Sequence, residues 1–177
     1  MKSTLPTYSP SSRNIGVAAE AVAALQFARC GFDVSVQYGA NQPEYDLIVA
    51  KDARLLKVSV KGSQDGSWGL TQSFLKQADY HAAIQKWLER HGARTALCLV
   101  QFKNVALSEL PRIYLATPKE IAQRLRETAK GRGDSILYES RTWGPRAVGF
   151  GSVEQIPDSW RFSGERVDEL FTSLENS

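Results

Sequence analysis

The sequence predicts an α/β fold in which a mixed sheet is flanked by helices. Three observations carry that expectation. An Ala-rich helical stretch, Asn14 to Cys30, is followed by three short apolar runs joined by short polar turns, a spacing that fits an antiparallel meander. A helical segment then leads to Thr95–Phe102, a continuous apolar run that reads as a strand buried on both faces. The element order is αβββαββα with additions, which mixes meander and crossover connections. At 177 residues the chain is one domain with terminal embellishments, since domains run about 100–200 residues. Its 42% hydrophobic and 23% charged content excludes disorder over most of the length. No apolar run approaches the roughly 20 residues of a membrane span.

Taken in order, Met1 to Arg13 is Ser/Pro-rich and reads as a flexible arm. It lacks an apolar segment of the secretory kind, so a cytoplasmic location is expected. The first helix should stop at Gly31. The three strands are expected at Phe32–Gln37, Tyr45–Ala50 and Leu55–Lys61, with Tyr38–Pro43 and Lys51–Ala53 as turns. Gly62 to Gly69 reads as a loop. A helix over about Lys76–His91 presents Tyr80, Ile84, Trp87 and Leu88 on one side and ends at Gly92. Arg112–Ala116 is a further strand. Thr117-Pro118-Lys119-Glu120 is a capping box with Pro at the first helical position, opening a helix to about Lys130. Ser135–Glu139 reads as a short strand, and Ser163 as the cap of a last helix with Val167, Leu170, Phe171 and Leu174 on one stripe.

The formal charge of +3 conceals a gradient. Residues 111–146 carry 8 basic and 4 acidic side chains, whereas residues 147–177 carry 2 and 6. A basic stretch suits an anionic partner, although a solvated helix face is the plainer account of charge alone. Cys30 and Cys98 are too few for a disulfide framework or a four-cysteine zinc site. His81 and His91 match no zinc-protease spacing, and neither a P-loop, a dinucleotide fingerprint nor a nucleophile elbow is present.

The chemistry-bearing residues stand on apolar elements. Along Leu55–Lys61 side chains alternate, so Leu56, Val58 and Val60 face the core, and Lys57, Ser59 and Lys61 face the other way. Asp46 opens the apolar run Leu47–Ala50, where a carboxylate is costly to bury without a partner or a metal. Glu20 is the one charge between Arg13 and Arg29. Singly, each of Glu20, Asp46 and Lys61 is explained by solvation or a turn cap. Together, on a helix and two strands that should pack against each other, they suggest a site.

These residues resemble the PD-(D/E)XK nuclease superfamily, of restriction-endonuclease-like fold, and within it the Holliday-junction-resolvase-like branch. Gly16 and Glu20 on the helix, Cys30-Gly31-Phe32, Pro43-Glu44-Tyr45-Asp46 and Val58-Ser59-Val60-Lys61-Gly62 carry the resemblance, which covers residues 14–102. It implies an αβββαβ core with a mixed central sheet flanked by helices, over residues 14–116, and a C-terminal helical and loop extension over 117–177. It further implies a Mg²⁺- or Mn²⁺-dependent DNA endonuclease. Asp46 and Glu20 would hold the metal, with the Val60 carbonyl as a backbone ligand. Lys61 would orient the attacking water. One position departs from the pattern: the acid two residues before the lysine is Ser59. Three outcomes stay open. Ser59 is an outer group of a working site, or Asp65 or Glu44 supplies the missing carboxylate, or the site is silent and the fold is kept for binding nucleic acid or for a protein-interaction role.

Candidate DNA contacts are Lys57, Gln64, Trp68, Arg124, Lys130 and Arg132, with Trp68 placed to stack on a base or to anchor its loop. For Tyr80, packing in the helix stripe is the stronger reading than a substrate contact shared with Gln77. A homodimer fits an enzyme that must cut two strands.

Overall fold

Ser11 and Asn14 satisfy each other at the start of helix α1 (Ser12–Arg29): the Asn14 amide donates to Ser11 Oγ, and the Ser11 amide to Asn14 Oδ1. This reciprocal cap starts the helix two residues before the sequence suggests, so Ser12 and Arg13 belong to it and not to a flexible arm. The computed structural model describes residues 9–37 and 44–175; the rest of the expected arm, Met1–Tyr8, and the loop Tyr38–Pro43 with Pro43 of the motif lie outside them.

The meander is present as β1 (Asp33–Val36), β2 (Leu47–Lys51) and β3 (Arg54–Ser63), paired antiparallel in chain order. β3 overruns the expected end at Lys61, because Gly62 and Ser63 pair with Val100 and Gln101 of β5 (Thr95–Gln101). The loop expected at Gly62–Gly69 is therefore mostly strand and tight turn. Asp65 accepts from the Ser67 amide and hydroxyl, and β4 (Ser67–Gly69) follows.

After a 3₁₀ turn at Gln72–Phe74, helix α2 (Tyr80–Glu89) begins four residues later than its periodicity suggests. Gln77 and Ala78 have φ of 50° and 59°, left-handed values that no helix propagates, and Asp79 caps the helix by accepting from the Ala82 amide. The crossover makes β3 and β5 parallel, and β6 (Arg112–Ala116) returns antiparallel to β5. The sheet order is β1-β2-β3-β5-β6, and every residue of β5 is buried, as its apolar run demands.

The sheet has two packed faces. Leu56, Val58 and Val60 meet Ala19, Ala23 and Phe27 of α1 and the stripe Val167, Leu170, Phe171 and Leu174 of the last helix. Each fully buried large side chain contributes about 1.5–3 kcal/mol relative to exposure. On the other face Leu97, Leu99 and Tyr114 pack on α2 and on Ile121, Ala122 and Leu125 of α3 (Pro118–Glu127). The Thr117 capping box is formed. Helix α3 ends at Glu127, before the expected Lys130, because Ala129 and Lys130 adopt φ of 54° and 58°.

β7 (Ile136–Tyr138) pairs with β4, and a hairpin absent from the expectations, β8 (Ser140–Thr142) with β9 (Val153–Gln155), follows. Ser163 Oγ accepts from the Arg166 amide to open α4 (Gly164–Glu175). Thus the final segment shares the core of the sheet. Among the described residues no helix is long and apolar enough to cross a membrane.

Candidate active site at the ends of β2 and β3

Helix α1 crosses β3 at Gly62. A Cβ there would lie 2.8 Å from the Ile15 carbonyl oxygen and 2.9 Å from Ala19 Cβ, so only glycine permits this approach. The crossing sets Glu20, next to Ala19, beside Lys61, next to Gly62. β2 meets the same place from the other side. The Asp46 amide donates to the Val58 carbonyl at 2.8 Å, and Asp46 Oδ2 accepts from the Val60 amide at 2.6 Å. The carboxylate thus ends the β2–β3 ladder by satisfying its next amide. Since N–H and C=O of one strand residue point to the same side, the Val60 carbonyl also faces the Asp46 side.

Asp46 and Lys61 both act on Glu20. Partial burial and then the Asp46 charge push the Glu20 carboxyl above its ordinary range, while Lys61 pulls it back. Glu20 is half-buried and Lys61 is exposed. Ser59 is 2% exposed on the sheet face opposite α1. Ser59 and Lys61 open there into a cavity of about 280 Å³, walled by Trp87, Arg90 and His91 from the end of α2. His91 Nδ1 donates to the Trp87 carbonyl at 2.9 Å, and its ring lies against Trp87 with centroids 4.4 Å apart. Burial holds this imidazole below its ordinary range, outweighing the Trp87 carbonyl and the Glu44 charge. It is therefore neutral at pH 7, with Nε2 as an acceptor. Sequence reasoning missed Arg90 and His91 as site residues. Their signal is positional: they follow Trp87 by three and four residues, the spacing that puts them on its face of the helix end.

Neither alternative acid completes the set. Glu44 is paired with Arg90 at 2.6 Å. Asp65 is the hub of the β3–β4 turn; burial raises its carboxyl, but hydrogen bonds from Ser67 and Ser63 outweigh that and hold it low. Among the described residues there is no cluster of three or more His, Cys, Asp or Glu side chains placed to share a metal. Two carboxylates and a backbone carbonyl still suit a hard cation that keeps several waters.

The expected DNA contacts are dispersed. Trp68 is corrected to an anchor: it is 3% exposed, its indole N–H donates to the Lys61 carbonyl at 3.0 Å, and its ring packs edge-on against Tyr114. No face is open for a base. It holds the chain just after the motif lysine instead. Lys57 lies over the Tyr45 ring, and Gln64 donates to the Pro10 carbonyl. Arg124 donates to the Gln155 carbonyl, which ties α3 to β9. Lys130 is exposed and Arg132 lies over Tyr80. Tyr80 and Trp87 are separated by about 10 Å along the helix at 1.5 Å per residue, so Arg132 sits at the far end of α2 from the cavity.

Comparison with known proteins bears on both the family and the fold. The family model described as PD-(D/E)XK endonuclease matches residues 10–86, the segment holding Glu20, Asp46, Ser59 and Lys61. The solved structure of a bacterial homing endonuclease, I-Ssp6803I, is similar over 95% of this chain and 99% of its own, with a TM-score of 0.52 and 14% sequence identity. At that identity the likeness speaks to the fold, and it includes the segment after Ala116. No curated protein matches.

Proposed function

We propose that this chain, whose residues 10–86 match the PD-(D/E)XK endonuclease family model, is a metal-dependent DNA endonuclease that hydrolyses phosphodiester bonds at Glu20, Asp46 and Lys61. One observation carries the reading: the close crossing of α1 over β3 at Gly62 and the Asp46–Val60 hydrogen bond bring a helix acid, a strand-end acid and the motif lysine to one point of the sheet. Asp46 and Glu20 would hold Mg²⁺ or Mn²⁺, with the Val60 carbonyl on the same side. The cation supplies charge neutralisation at the phosphate and a more acidic water. The Val60 amide fixes the Asp46 carboxylate, leaving Oδ1 for a cation. Lys61 offsets phosphate charge and orients the attacking water. Ser59 offers a neutral hydroxyl on the Lys61 side of β3.

The test is nicking of plasmid, linear and branched DNA by purified protein with Mg²⁺ or Mn²⁺, branched DNA being included for the resolvase-like motif. Wild type should cut, and Asp46→Ala and Lys61→Ala should not. A second reading is favoured by Ser59 and by the lack of a third acid: a catalytically silent DNA-binding module. It requires no cleavage with any of these substrates but salt-sensitive binding. Absence of both activities leaves a protein-interaction role. We also propose a homodimer, to be checked by sedimentation with and without DNA.

A further inference from the structure

The rim of the cavity beside Lys61 carries one ion pair. Arg90 Nε donates to Glu44 Oε1 at 2.6 Å, and both side chains are solvent-exposed, at 58% and 40%. The same guanidinium lies over the Phe74 ring, 5.4 Å from its centroid. Glu44 is two residues before Asp46, so the pair joins the strand bearing the site carboxylate to the end of α2. Among the residues lining the cavity, Glu44 is the one acid and Lys61 and Arg90 are the cations, because His91 presents a neutral acceptor.

We propose that Arg90 is a DNA-phosphate ligand that exchanges Glu44 for the backbone phosphate next to the scissile bond, so that Glu44 competes with DNA in the free protein. The inference rests on the endonuclease reading above. Three features support it. The pair uses Nε alone, leaving the terminal nitrogens of a fork suited to phosphate oxygens. An exposed pair of this kind is cheap to open, and the Phe74 face keeps the guanidinium oriented when Glu44 lets go. The cavity lies near the lower end of ligand pockets, roughly 300 Å³, which admits one backbone unit of a strand and not a duplex.

The test is a double-mutant cycle on DNA affinity, read by fluorescence anisotropy of a fluorescein-labelled duplex in EDTA over a range of salt. Without metal, binding is measured apart from cleavage. Arg90→Gln should weaken binding about tenfold, the loss expected for a charged hydrogen bond, and reduce the salt slope by about 1. Glu44→Gln should tighten binding about two- to fivefold, the scale of an exposed ion pair, and this gain should vanish in the Arg90→Gln background. An unchanged affinity and slope in Arg90→Gln, or an equal Glu44→Gln gain in both backgrounds, overturns the proposal while leaving the nuclease reading intact if wild type still cuts. Failure of wild type to bind DNA in EDTA overturns the proposal, and failure also to cut DNA with Mg²⁺ or Mn²⁺ overturns the nuclease reading.

Discussion

Gly62→Ala tests how the fold assembles its site. The new Cβ would sit 2.8 Å from the Ile15 carbonyl oxygen, 2.9 Å from Ala19 Cβ and 2.9 Å from Ile15 Cγ2. Carbon contacts are best at about 3.5–4.0 Å, so α1 and β3 must separate by roughly 0.6 Å. Two of the three obstructing atoms are a backbone oxygen and a Cβ, which no rotamer change moves. The helix must shift as a body, at the 1–3 kcal/mol or so typical of overpacking. For a chain of this size that is about 2–4 °C in Tm per kcal/mol. Because Glu20 adjoins Ala19, the same shift should draw its carboxylate from Asp46 and weaken Mn²⁺ binding. Urea denaturation and metal titration measure the two effects. Gly16→Ala is the control. Its Cβ meets nothing within 4 Å, so alanine should stabilise the helix by about 0.5–1 kcal/mol. Wild-type stability and metal affinity in Gly62→Ala would refute the close-crossing account of the site.

Other perturbations probe the charges. Ser59→Asp should raise Mn²⁺ affinity by about tenfold, the lower end of ligand-shell effects, and destabilise the metal-free protein; unchanged calorimetric affinity would mean that Ser59 does not face the cation. The raised Glu20 carboxyl favours folding while protonated, an advantage present below the ordinary carboxylate range and lost as pH rises through the folded value. Glu20→Gln should therefore stabilise the metal-free protein at neutral pH, by less than about 1 kcal/mol for a partly solvated group, and abolish stabilisation by Mn²⁺. Glu139 accepts from Arg112 at 2.7 and 2.9 Å and from the Tyr114 hydroxyl at 2.8 Å. Burial raises its carboxyl, but these bonds outweigh it and hold it below its ordinary range. That stability is present above the unfolded value and lost as pH falls through the folded one. Glu139→Gln should cost about 1–3 kcal/mol at pH 7 and nothing once wild-type Glu139 is protonated; an equal cost at both pH values would count against it.

The core of the fold was legible because its signals are local. The alternation at Leu56, Val58 and Val60, the unbroken β5 and the Thr117 cap each follow from neighbours in sequence. What failed depended on backbone states that residue type does not announce. Gln77, Ala78, Ala129 and Lys130 all take left-handed φ, and none is the glycine or asparagine that would signal it, so both helix ends were misplaced. β7 was legible, but its partner β4 lies far away in sequence, and in β4, β8 and β9 no periodicity develops over three residues. At the site, Glu20, Asp46 and Lys61 were readable as charges on apolar elements. Trp68 was readable as a loop anchor or a base-stacking residue, and the contact that decides for the anchor, its indole N–H donated to the Lys61 carbonyl, leaves no sequence pattern. Arg90 and His91 escaped for the opposite reason, since charged residues at a helix end ordinarily denote solvent.

Ser59 fits the energetics of this site better than a simple loss would suggest. The position is 2% exposed, so an ionised carboxylate there would need a cation to be tolerated. With serine, the metal-free protein carries only two carboxylates at this point. One is satisfied by the Val60 amide. The other, Glu20, tolerates partial burial with Lys61 as a counter-charge. Mg²⁺ needs few protein ligands when a phosphate supplies oxygens as well. A metal site with one acid fewer would therefore hold the ion weakly alone and complete its ligand set with the substrate. Under the proposed endonuclease reading, Ser59 would shift metal affinity from the protein to the protein–DNA complex and couple the two binding events, leaving the chemistry to Asp46, Glu20 and Lys61.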